Sequence, residues 1–286
     1  MVVPCFNEVG AIRATVDGLR RALAEAGPYQ LLVVDDGSDD GTSEELELLA
    51  AEPATQQLEV VAHETNRGYG AAVKTGIRRA AAEVVVITDA DGTYPAEAIP
   101  ALVDAMEQAD MAVGARTGDR VSYPVLRRVP KLFLRSYVSW LVGRRIPDMN
   151  SGLRAFRRSL AVPYLRLLPD GFSLTTTLTV ALMRAGNEVR FLPVDYAPRV
   201  GRSKIRPVRD TLGFVQLILR TGMYFAPLRV LLPLVVLLSL IFIGSLGYDV
   251  FVLRDLTDKT VLLLLFAMNT ALFALLADML DKRGHG

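Results

Sequence analysis

The fold is decided by residues 84–91, which read VVVITDAD. The first five residues are β-branched and predict a strand that is covered on both of its faces. Asp89 and Asp91 follow at once, with Gly92 and Pro95 as turn signals. Residues two apart on an extended chain point to the same side, so both carboxylates can reach one ligand. Parallel sheets bind ligands at the carboxyl ends of their strands, and the stretch therefore predicts a ligand site.

Similar apolar runs alternate with helical patterns through the first half of the chain, which predicts an α/β fold with a mostly parallel sheet. The predicted strands are Met1–Pro4, Leu31–Asp35, Leu58–Ala62, Val84–Thr88 and Met111–Gly114. The predicted helices cover Glu8–Ala26, a segment that begins at Thr42 with Glu45 completing a capping box, Leu132–Val142 and Thr175–Ala185.

The C-terminal part of the chain is strongly apolar. No charged residue occurs in 230–248 or in 260–277, and each stretch is close to the roughly 20 residues that a spanning helix needs. We therefore predict an N-terminal α/β domain at 1–206, an amphipathic membrane-surface helix at 207–226 and a transmembrane hairpin at 227–281. The two spans of the hairpin are expected at about 228–253 and 260–279.

The charged residues predict how this chain sits in a lipid bilayer. Basic residues are concentrated before the first span, and Lys282 and Arg283 follow the second, so the positive-inside tendency predicts an integral membrane protein with the N-terminal domain and the C-terminus in the cytoplasm. The formal net charge is +1, which does not favour nucleic acid as a partner.

Acidic residues also follow the second predicted strand, where residues 35–42 read DDGSDDGT. Asp36 can accept a hydrogen bond from a nucleotide base, and the proline and phenylalanine in residues 4–8, PCFNE, offer the base an apolar surface. Carboxylates such as Asp89 and Asp91 favour Mg²⁺ or Mn²⁺. Helix capping would explain Asp39 and Thr42 equally well, but it leaves the DAD triplet unexplained.

Taken together, these motifs resemble family 2 glycosyltransferases of the GT-A fold. The resemblance is carried by the opening proline-x-Phe-Asn-Glu segment, the VVDDGS run, the Asn66-Arg67-Gly68 segment and the DAD triplet. Three further segments are similar to the polyisoprenyl-phosphate sugar transferases, the group that includes dolichyl-phosphate mannose synthase. These segments are Gly114–Arg116, Ser151–Arg154 and Arg199–Lys204.

The resemblance implies a role for each matching residue. The residues implied for the nucleoside are Pro4, Phe6, Glu8, Val34 and Asp36. Those implied for the diphosphate are Asp89, Ala90 and Asp91, with Mg²⁺ or Mn²⁺ held by Asp89 and Asp91. Positive charge for the donor and acceptor phosphates is implied for Arg116, Arg199 and Lys204. Thr93 stands where many relatives carry a glutamine that helps to hold the metal.

The implied reaction is inverting transfer of a hexose or pentose from a nucleotide-diphosphate sugar to a polyisoprenyl phosphate, dolichyl or undecaprenyl, at the bilayer surface. The attacking phosphate oxygen is already an anion, so no strong base is needed. His63 and His285 are accordingly not expected near the acids. Asp148, in the turn at 147–152, either orients the sugar hydroxyls or serves as a structural turn residue.

Alternatives remain open at this point. A polysaccharide synthase or another membrane glycosyltransferase would use a sugar acceptor, although the synthases share a Gln-x-x-Arg-Trp motif that is missing here. A catalytically inactive membrane scaffold is the alternative from another class. A phosphate loop at Gly68–Thr75 does not fit, because Val73 stands where glycine is required. The sequence specifies neither the sugar nor the base, and it leaves homo-oligomerisation open.

Overall fold

The structure is a computed structural model. It describes residues 1–24, 28–52, 58–117, 136, 138–140, 142–171, 173–197, 222–223 and 226–283. The chain forms two compact units, one from 1–137 with 144–206 and the other from 138–143 with 207–286. Arg199, Lys204 and nearly all of the predicted surface helix at 207–226 lie outside the described residues, as does most of the predicted helix at 132–142.

The first unit is built on a seven-stranded sheet. Its strands are β1 Val2–Cys5, β2 Leu31–Asp35, β3 Leu58–Ala62, β4 Val84–Ile87, β5 Met111–Ala115, β6 Arg154–Arg157 and β7 Val189–Pro193, in the spatial order β3-β2-β1-β4-β6-β5-β7. All neighbours are parallel except β6, which runs antiparallel to β4 and β5. The α/β prediction with a mostly parallel sheet is confirmed, and the five predicted strands all form within a residue of their expected ends.

The helices described in this unit are α1 Ile12–Ala22, α2 Thr42–Ala51, α3 Tyr69–Arg79, α4 Ile99–Ala105, α5 Arg158–Ala161 and α6 Leu174–Arg184. Helix α1 buries Ile12, Val16 and Leu19, which share one helical face. The expected start of α1 at Glu8 was wrong. The backbone N–H groups of Glu8 and Val9 donate to side chains that follow β2 and are therefore held outside the helix.

The predicted capping box at Thr42 was also wrong. Thr42 is the first residue of α2, and no side chain caps that helix. The Thr42 hydroxyl instead accepts the backbone N–H of Glu8 at 2.9 Å and donates to Asp40. The Asp40 carboxylate in turn accepts the backbone N–H of Thr42 at 3.0 Å. These bonds join the loop after β1 to the loop after β2, and this joined pair of loops lies at the carboxyl edge of the sheet.

The switch point of the sheet lies between β1 and β4. The two strands are in register only at Val2 and Ile87, the first residue of β1 and the last residue of β4. Pro4, which has no backbone N–H to donate, lies beyond that pair, so the missing donor costs the β1–β4 ladder nothing there. On its other side Pro4 is in register with Val34 of β2. The chain places β2 and then β3 on one side of β1 and returns to place β4 on its other side, and such a point is where open α/β sheets bind ligands.

The second unit contains a pair of apolar helices, α7 Pro227–Tyr248 and α8 Asp258–Arg283, that pack against each other. A π-helical turn, Asp249–Leu253, extends α7. The Asp249 carboxylate accepts the Thr257 backbone N–H at 2.9 Å and the Thr257 hydroxyl at 2.6 Å, which fixes the connection between the helices. Residues 227–253 and 258–280 are each long and apolar enough to cross a membrane, as predicted.

Candidate active site

The predicted site residues of the first unit meet at the carboxyl edge of the sheet. Asp36 follows β2, Asp89 and Asp91 follow β4, and Arg116 follows β5. Because β6 is antiparallel to its neighbours, the residues before it, 151–153, reach this edge as well. Parallel strands bring their carboxyl ends together, and this is why residues far apart in the sequence become neighbours here.

Asp36 is the centre of a hydrogen-bonded cluster. Its Oδ1 lies 2.7 Å from Nδ1 of His63 and accepts the backbone N–H of Arg67 at 3.0 Å, while Oδ2 accepts the N–H of Gly68 at 2.7 Å. Nε2 of His63 lies 2.9 Å from the Thr75 hydroxyl. A carboxylate oxygen can accept two hydrogen bonds, so Oδ2 keeps the capacity to accept one from a bound base.

The expectation that His63 lies away from the acids was wrong. His63 is the first residue after β3, and β3 is the parallel neighbour of β2. Its backbone N–H donates to the carbonyl oxygen of Asp35 at 2.8 Å, which continues the ladder and brings the imidazole beside Asp36. The signal was available in the sequence, because a polar residue that directly follows a parallel strand lies at the carboxyl edge.

Of the residues implied for the nucleoside, Phe6, Glu8 and Asp36 lie on the joined loops after β1 and β2, whereas Pro4 and Val34 belong to the strands themselves. Asn7 adopts a positive φ of 53°. Its Nδ2 donates to Oδ1 of Asp39 at 2.6 Å, and its Oδ1 accepts the Asp39 backbone N–H at 2.9 Å. Phe6 and Glu8, on either side of Asn7, are half-buried, while Pro4 and Val34 are buried in the sheet. The two loops thus form one hydrogen-bonded surface that carries Phe6 and Glu8.

Asp89 lies against Gly152. A Cβ atom added to Gly152 would lie only 2.5 Å from Oδ1 and 2.6 Å from Cγ of Asp89, so no other residue type fits there without movement. The Gly152 backbone N–H donates to the Tyr94 hydroxyl at 2.8 Å, which fixes the position of this glycine. Burial raises the pKa of both Tyr94 and Tyr69, and the negative charge of Asp89 adds to the effect.

Asp91 is buried and oriented by its own turn. Its Oδ1 accepts the Thr93 backbone N–H at 3.2 Å and the Thr93 hydroxyl at 2.7 Å. Between the two acids, the carbonyl oxygen of Ala90 accepts the hydroxyl of Thr15 at 2.9 Å. The DAD triplet is therefore held from the α1 side through Thr15 and from within through Thr93.

Within the part of the chain that the structure describes, no group of three or more His, Cys, Asp or Glu side chains is arranged to hold a metal ion. Asp89 and Asp91 offer oxygen atoms alone, and that donor set suits Mg²⁺ or Mn²⁺ when substrate phosphates supply further ligands. The hydrogen bonds from Thr93 orient the Asp91 carboxylate before any ligand arrives, and Asp89 packs closely against Gly152.

Arg116 and Asp148 form a bidentate ion pair that the sequence did not predict. Nε of Arg116 lies 2.7 Å from Oδ2 of Asp148, Nη2 lies 2.9 Å from Oδ1, and the Arg116 backbone N–H also donates to Oδ2. The guanidinium lies 5.2 Å from the ring centre of Tyr196, whose ring meets that of Tyr94 edge-on. Arg116 is thus linked through two tyrosines to Gly152, the residue on which Asp89 rests.

The ion pair of Arg116 and Asp148 is expected to make the stability of the fold depend on pH. Burial acts to raise the pKa of Asp148, but the hydrogen bonds and charge of Arg116 outweigh it and hold the pKa below its usual range. The ionised carboxylate therefore stabilises the fold fully above the unfolded pKa of about 3.9, and the contribution is lost as the pH falls through the folded value. We expect Asp148→Asn to cost about 2 kcal/mol at neutral pH, less than the 3–5 kcal/mol of a fully buried pair.

Denaturant unfolding of the detergent-solubilised protein measures this cost. The gap between wild type and Asp148→Asn should stay constant from neutral pH down to about pH 4 and shrink below it. Glu188→Gln is the matched control, because the Arg144–Glu188 pair is about half exposed and its loss should change stability by less than about 1 kcal/mol. A difference in unfolding free energy between wild type and Asp148→Asn that widens in acid would contradict a stabilising role for the ionised Asp148 carboxylate.

Arg154 is a buried cation to which the sequence assigned no role beyond the motif that contains it. Its side chain is 0% exposed, and its guanidinium donates to the Thr175 carbonyl oxygen at 2.6 Å, to the Thr179 hydroxyl at 2.9 Å and to the Ser151 carbonyl oxygen. Burial lowers its pKa, whereas nearby tyrosines and the charges of Asp148 and Asp89 favour the charged form. Arg154 therefore contributes positive potential to the acidic site.

The phosphate-loop alternative is not supported by the contacts of the Gly68–Thr75 segment. The carbonyl oxygen of Asp170 accepts the N–H of Gly70 at 2.7 Å, so a donor at the start of α3 is already used. Lys74 is buried, donates to the Leu168 carbonyl oxygen at 3.0 Å and pairs with the Asp170 carboxylate. This lysine serves the packing of α3 against 168–170.

Comparison with known proteins places these features in context. The model of the family described as "Glycosyl transferase family 2" matches residues 1–162. The undecaprenyl-phosphate mannosyltransferase of Micrococcus luteus is 29% identical over 71% of this chain and 86% of its own length. The dolichyl-phosphate hexose transferase of Haloferax volcanii is 29% identical over 72% of this chain and 86% of its own length.

Solved structures show the same fold. Glucosyl-3-phosphoglycerate synthase from Mycobacterium tuberculosis, in a complex with Mn²⁺, UDP-glucose and phosphoglyceric acid, superimposes with a TM-score of 0.59 at 20% identity, over 77% of this chain and 78% of that one. At this identity the likeness concerns the fold alone. The predicted GT-A architecture is thereby confirmed.

Proposed function

Because the chain belongs to glycosyl transferase family 2, we propose that it transfers a sugar from a nucleotide-diphosphate sugar to the phosphate of a polyisoprenyl lipid, with inversion at the anomeric carbon. The observation that carries this proposal is the acid pair, Asp89 and Asp91, which follows β4 at the switch point of the sheet. Relatives named for undecaprenyl-phosphate and dolichyl-phosphate transfer support a lipid phosphate as the acceptor.

The donor nucleoside binds on the joined loops in this proposal. Phe6 gives the base an apolar surface, and Oδ2 of Asp36 accepts a hydrogen bond from a base N–H. Glu8 completes the part of the nucleoside site on the loops, and the buried Pro4 and Val34 contribute through the strands that carry these loops. The network of His63 and the Arg67 and Gly68 amides holds the Asp36 carboxylate in one orientation, so little ordering is left to occur on binding.

The donor diphosphate binds beside Ala90 between the two acids. Asp89 and Asp91 would hold Mg²⁺ or Mn²⁺, and the bound ion would stabilise negative charge on the departing diphosphate. Thr93 orients Asp91 through its hydroxyl, which donates to Oδ1 at 2.7 Å. We assign it this supporting role because metal-ligating carboxylates depend on such hydrogen bonds for their orientation.

The acceptor phosphate needs positive charge rather than a base, since its oxygen already attacks as an anion. Arg116 supplies this charge, and Asp148 fixes the plane of its guanidinium through the bidentate pair. Arg199 and Lys204 are proposed to hold the lipid phosphate from the segment that precedes the apolar helices. Asp148 thus acts on the phosphates through Arg116 in addition to any contact with the sugar.

The two apolar helices hold the enzyme at the bilayer. Residues 227–253 and 258–280 span it as a hairpin, with the amphipathic segment 207–226 along its surface. Lys and Arg residues before α7 favour a cytoplasmic catalytic domain and C-terminus. A lipid acceptor suits this arrangement, because its phosphate lies at the surface to which the chain is anchored.

His63 provides a test of the nucleoside site. We expect His63→Gln, which loses the contact to Asp36, to raise the donor KM about tenfold, the equivalent of about 1.4 kcal/mol, while kcat changes little. His63→Asn should be milder, because its amide nitrogen takes the position of Nδ1 and keeps that contact. Steady-state kinetics with varied donor separate the two. Equal donor KM values in His63→Gln and His63→Asn would show that the contact between His63 and Asp36 does not serve donor binding and that His63 only supports the fold.

Incubation of the purified full-length protein with Mg²⁺ or Mn²⁺, a polyprenyl phosphate and a panel of nucleotide sugars tests the whole proposal. Mass spectrometry of the organic extract should reveal a lipid-linked sugar monophosphate with one or a few of the donors. Omission of the lipid phosphate should abolish the product. Transfer to soluble sugar acceptors alone, or donor hydrolysis alone, would reject the lipid-phosphate assignment.

A further inference from the structure

Residues 138–140, 142 and 143, here called the Trp140 turn, belong to the unit that contains α7 and α8, although they lie far from these helices in the sequence. The Gly143 N–H donates to the Ser139 carbonyl oxygen at 2.8 Å, which closes a helical turn. Nη1 of Arg229 in α7 donates to the Trp140 carbonyl oxygen at 3.1 Å. Gly143, with a φ of 78°, leaves room for that guanidinium, since a Cβ there would lie 3.2 Å from Nη1.

Arg229 marks one end of the apolar part of α7. No charged residue follows it until Asp249, and Tyr248 just before that aspartate is 52% exposed. At a rise of about 1.5 Å per residue, the helix from Arg229 to Tyr248 is about 28 Å long. The hydrocarbon core of a bilayer is about 30 Å thick. Arg229 and Tyr248 are therefore spaced to lie at its two opposite surfaces.

The Trp140 turn has one buried and one exposed face. Val138 and Val142 are 1% and 9% exposed, whereas the Trp140 side chain between them is 45% exposed. Indole rings favour the headgroup level of a bilayer, where their apolar body and polar N–H are both accommodated. The hydrogen bond from Arg229 holds the turn at the depth at which an arginine beside a span extends toward the headgroups.

We propose that the Trp140 turn is a bilayer anchor, with the exposed part of the Trp140 ring inserted at the headgroup level on the Arg229 side of the membrane. The partner is the lipid surface itself. This inference rests on the membrane insertion of α7 and α8, but it does not depend on the identity of the donor, the acceptor or the metal.

Trp140 is the only tryptophan in the chain, so its fluorescence reports this contact without a label. The full-length protein is reconstituted into vesicles whose lipids carry bromine either near the headgroup or near the chain end. Shallow bromines should remove about half of the emission and deep bromines clearly less, because interfacial tryptophans sit at headgroup level. Iodide in the aqueous phase should quench the Trp140 fluorescence less in these vesicles than in detergent solution.

The matched control moves the probe into the span. Trp140→Phe combined with Phe273→Trp places the indole at a position in α8 whose side chain is 60% exposed, where deep bromines should quench more than shallow ones. Equal Trp140 emission in brominated and plain lipid, with the control quenched, would overturn the proposal. Failure to quench the control would overturn it too, since the hairpin would then not be inserted. Emission that depends on protein concentration and not on bromine would assign Trp140 to contact with a second copy.

Discussion

Asp91→Asn is expected to lower the rate of lipid-linked sugar formation by about 10³-fold at saturating donor. The variant keeps the size of the side chain and removes its charge. A metal ion stabilises the developing diphosphate charge by several kcal/mol, and a loss of about 4 kcal/mol corresponds to that factor. Initial rates with the full-length protein, at several metal concentrations, measure the effect. Higher metal concentration should restore only part of the activity, because one of the two charges that attract the ion is gone.

Folding must be separated from catalysis in this experiment. Asp91 is buried, so thermal unfolding and detergent extraction from membranes should be compared with wild type. Asp104→Asn is the matched control, since it removes an exposed acid of α4 in the same unit and should leave the rate unchanged. An Asp91→Asn protein that folds, inserts and retains near wild-type activity would contradict the role of the acid pair.

Gly152→Ala is expected to lower activity by about 10²-fold and to raise the metal concentration required for half-maximal rate, in line with the 10–100-fold effect of disturbing a metal-site support. The added methyl group would lie within 2.6 Å of Cγ of Asp89, and real Cβ contacts do not occur at that separation. The Asp89 carboxylate must therefore move from its present position. Rates measured over a metal titration report this displacement.

A double-mutant cycle makes this prediction specific. If Gly152→Ala acts through Asp89, adding it to Asp89→Ala should reduce activity little further. Gly18→Ala, in the middle of α1, is the control, because its nearest neighbour at 4.0 Å is in ordinary contact. Independent, additive losses would mean that Gly152→Ala disturbs the site by another route.

The strands and their acidic ends were predictable from the sequence because the signal is local. The apolar runs at 31–35 and 58–62 match β2 and β3 residue for residue, and the triplet Asp89-Ala90-Asp91 follows β4 as expected. The two apolar helices were also predictable, because each contains an uncharged stretch long enough to cross a bilayer. The family resemblance added roles that local patterns could not supply.

The misses concern contacts between distant segments. Thr42 has the sequence of a capping residue, but the backbone N–H of Glu8 uses its hydroxyl instead. His63 meets Asp36 because β3 lies beside β2, which depends on strand order rather than on spacing. The pairing of Arg116 with Asp148 and the seat of Asp89 on Gly152 both depend on β6 being antiparallel between β4 and β5. No single segment of sequence encodes that insertion.

The most direct measurement is the structure of the full-length protein with Mn²⁺ and a non-transferable analogue of the donor that its activity assay selects. Anomalous scattering locates the manganese without ambiguity. One manganese peak is expected in contact with the carboxylates of Asp89 and Asp91, with the diphosphate on its other side and the base beside Phe6 and Asp36. A nucleotide bound at another edge of the sheet, or a metal that contacts neither carboxylate, would contradict it.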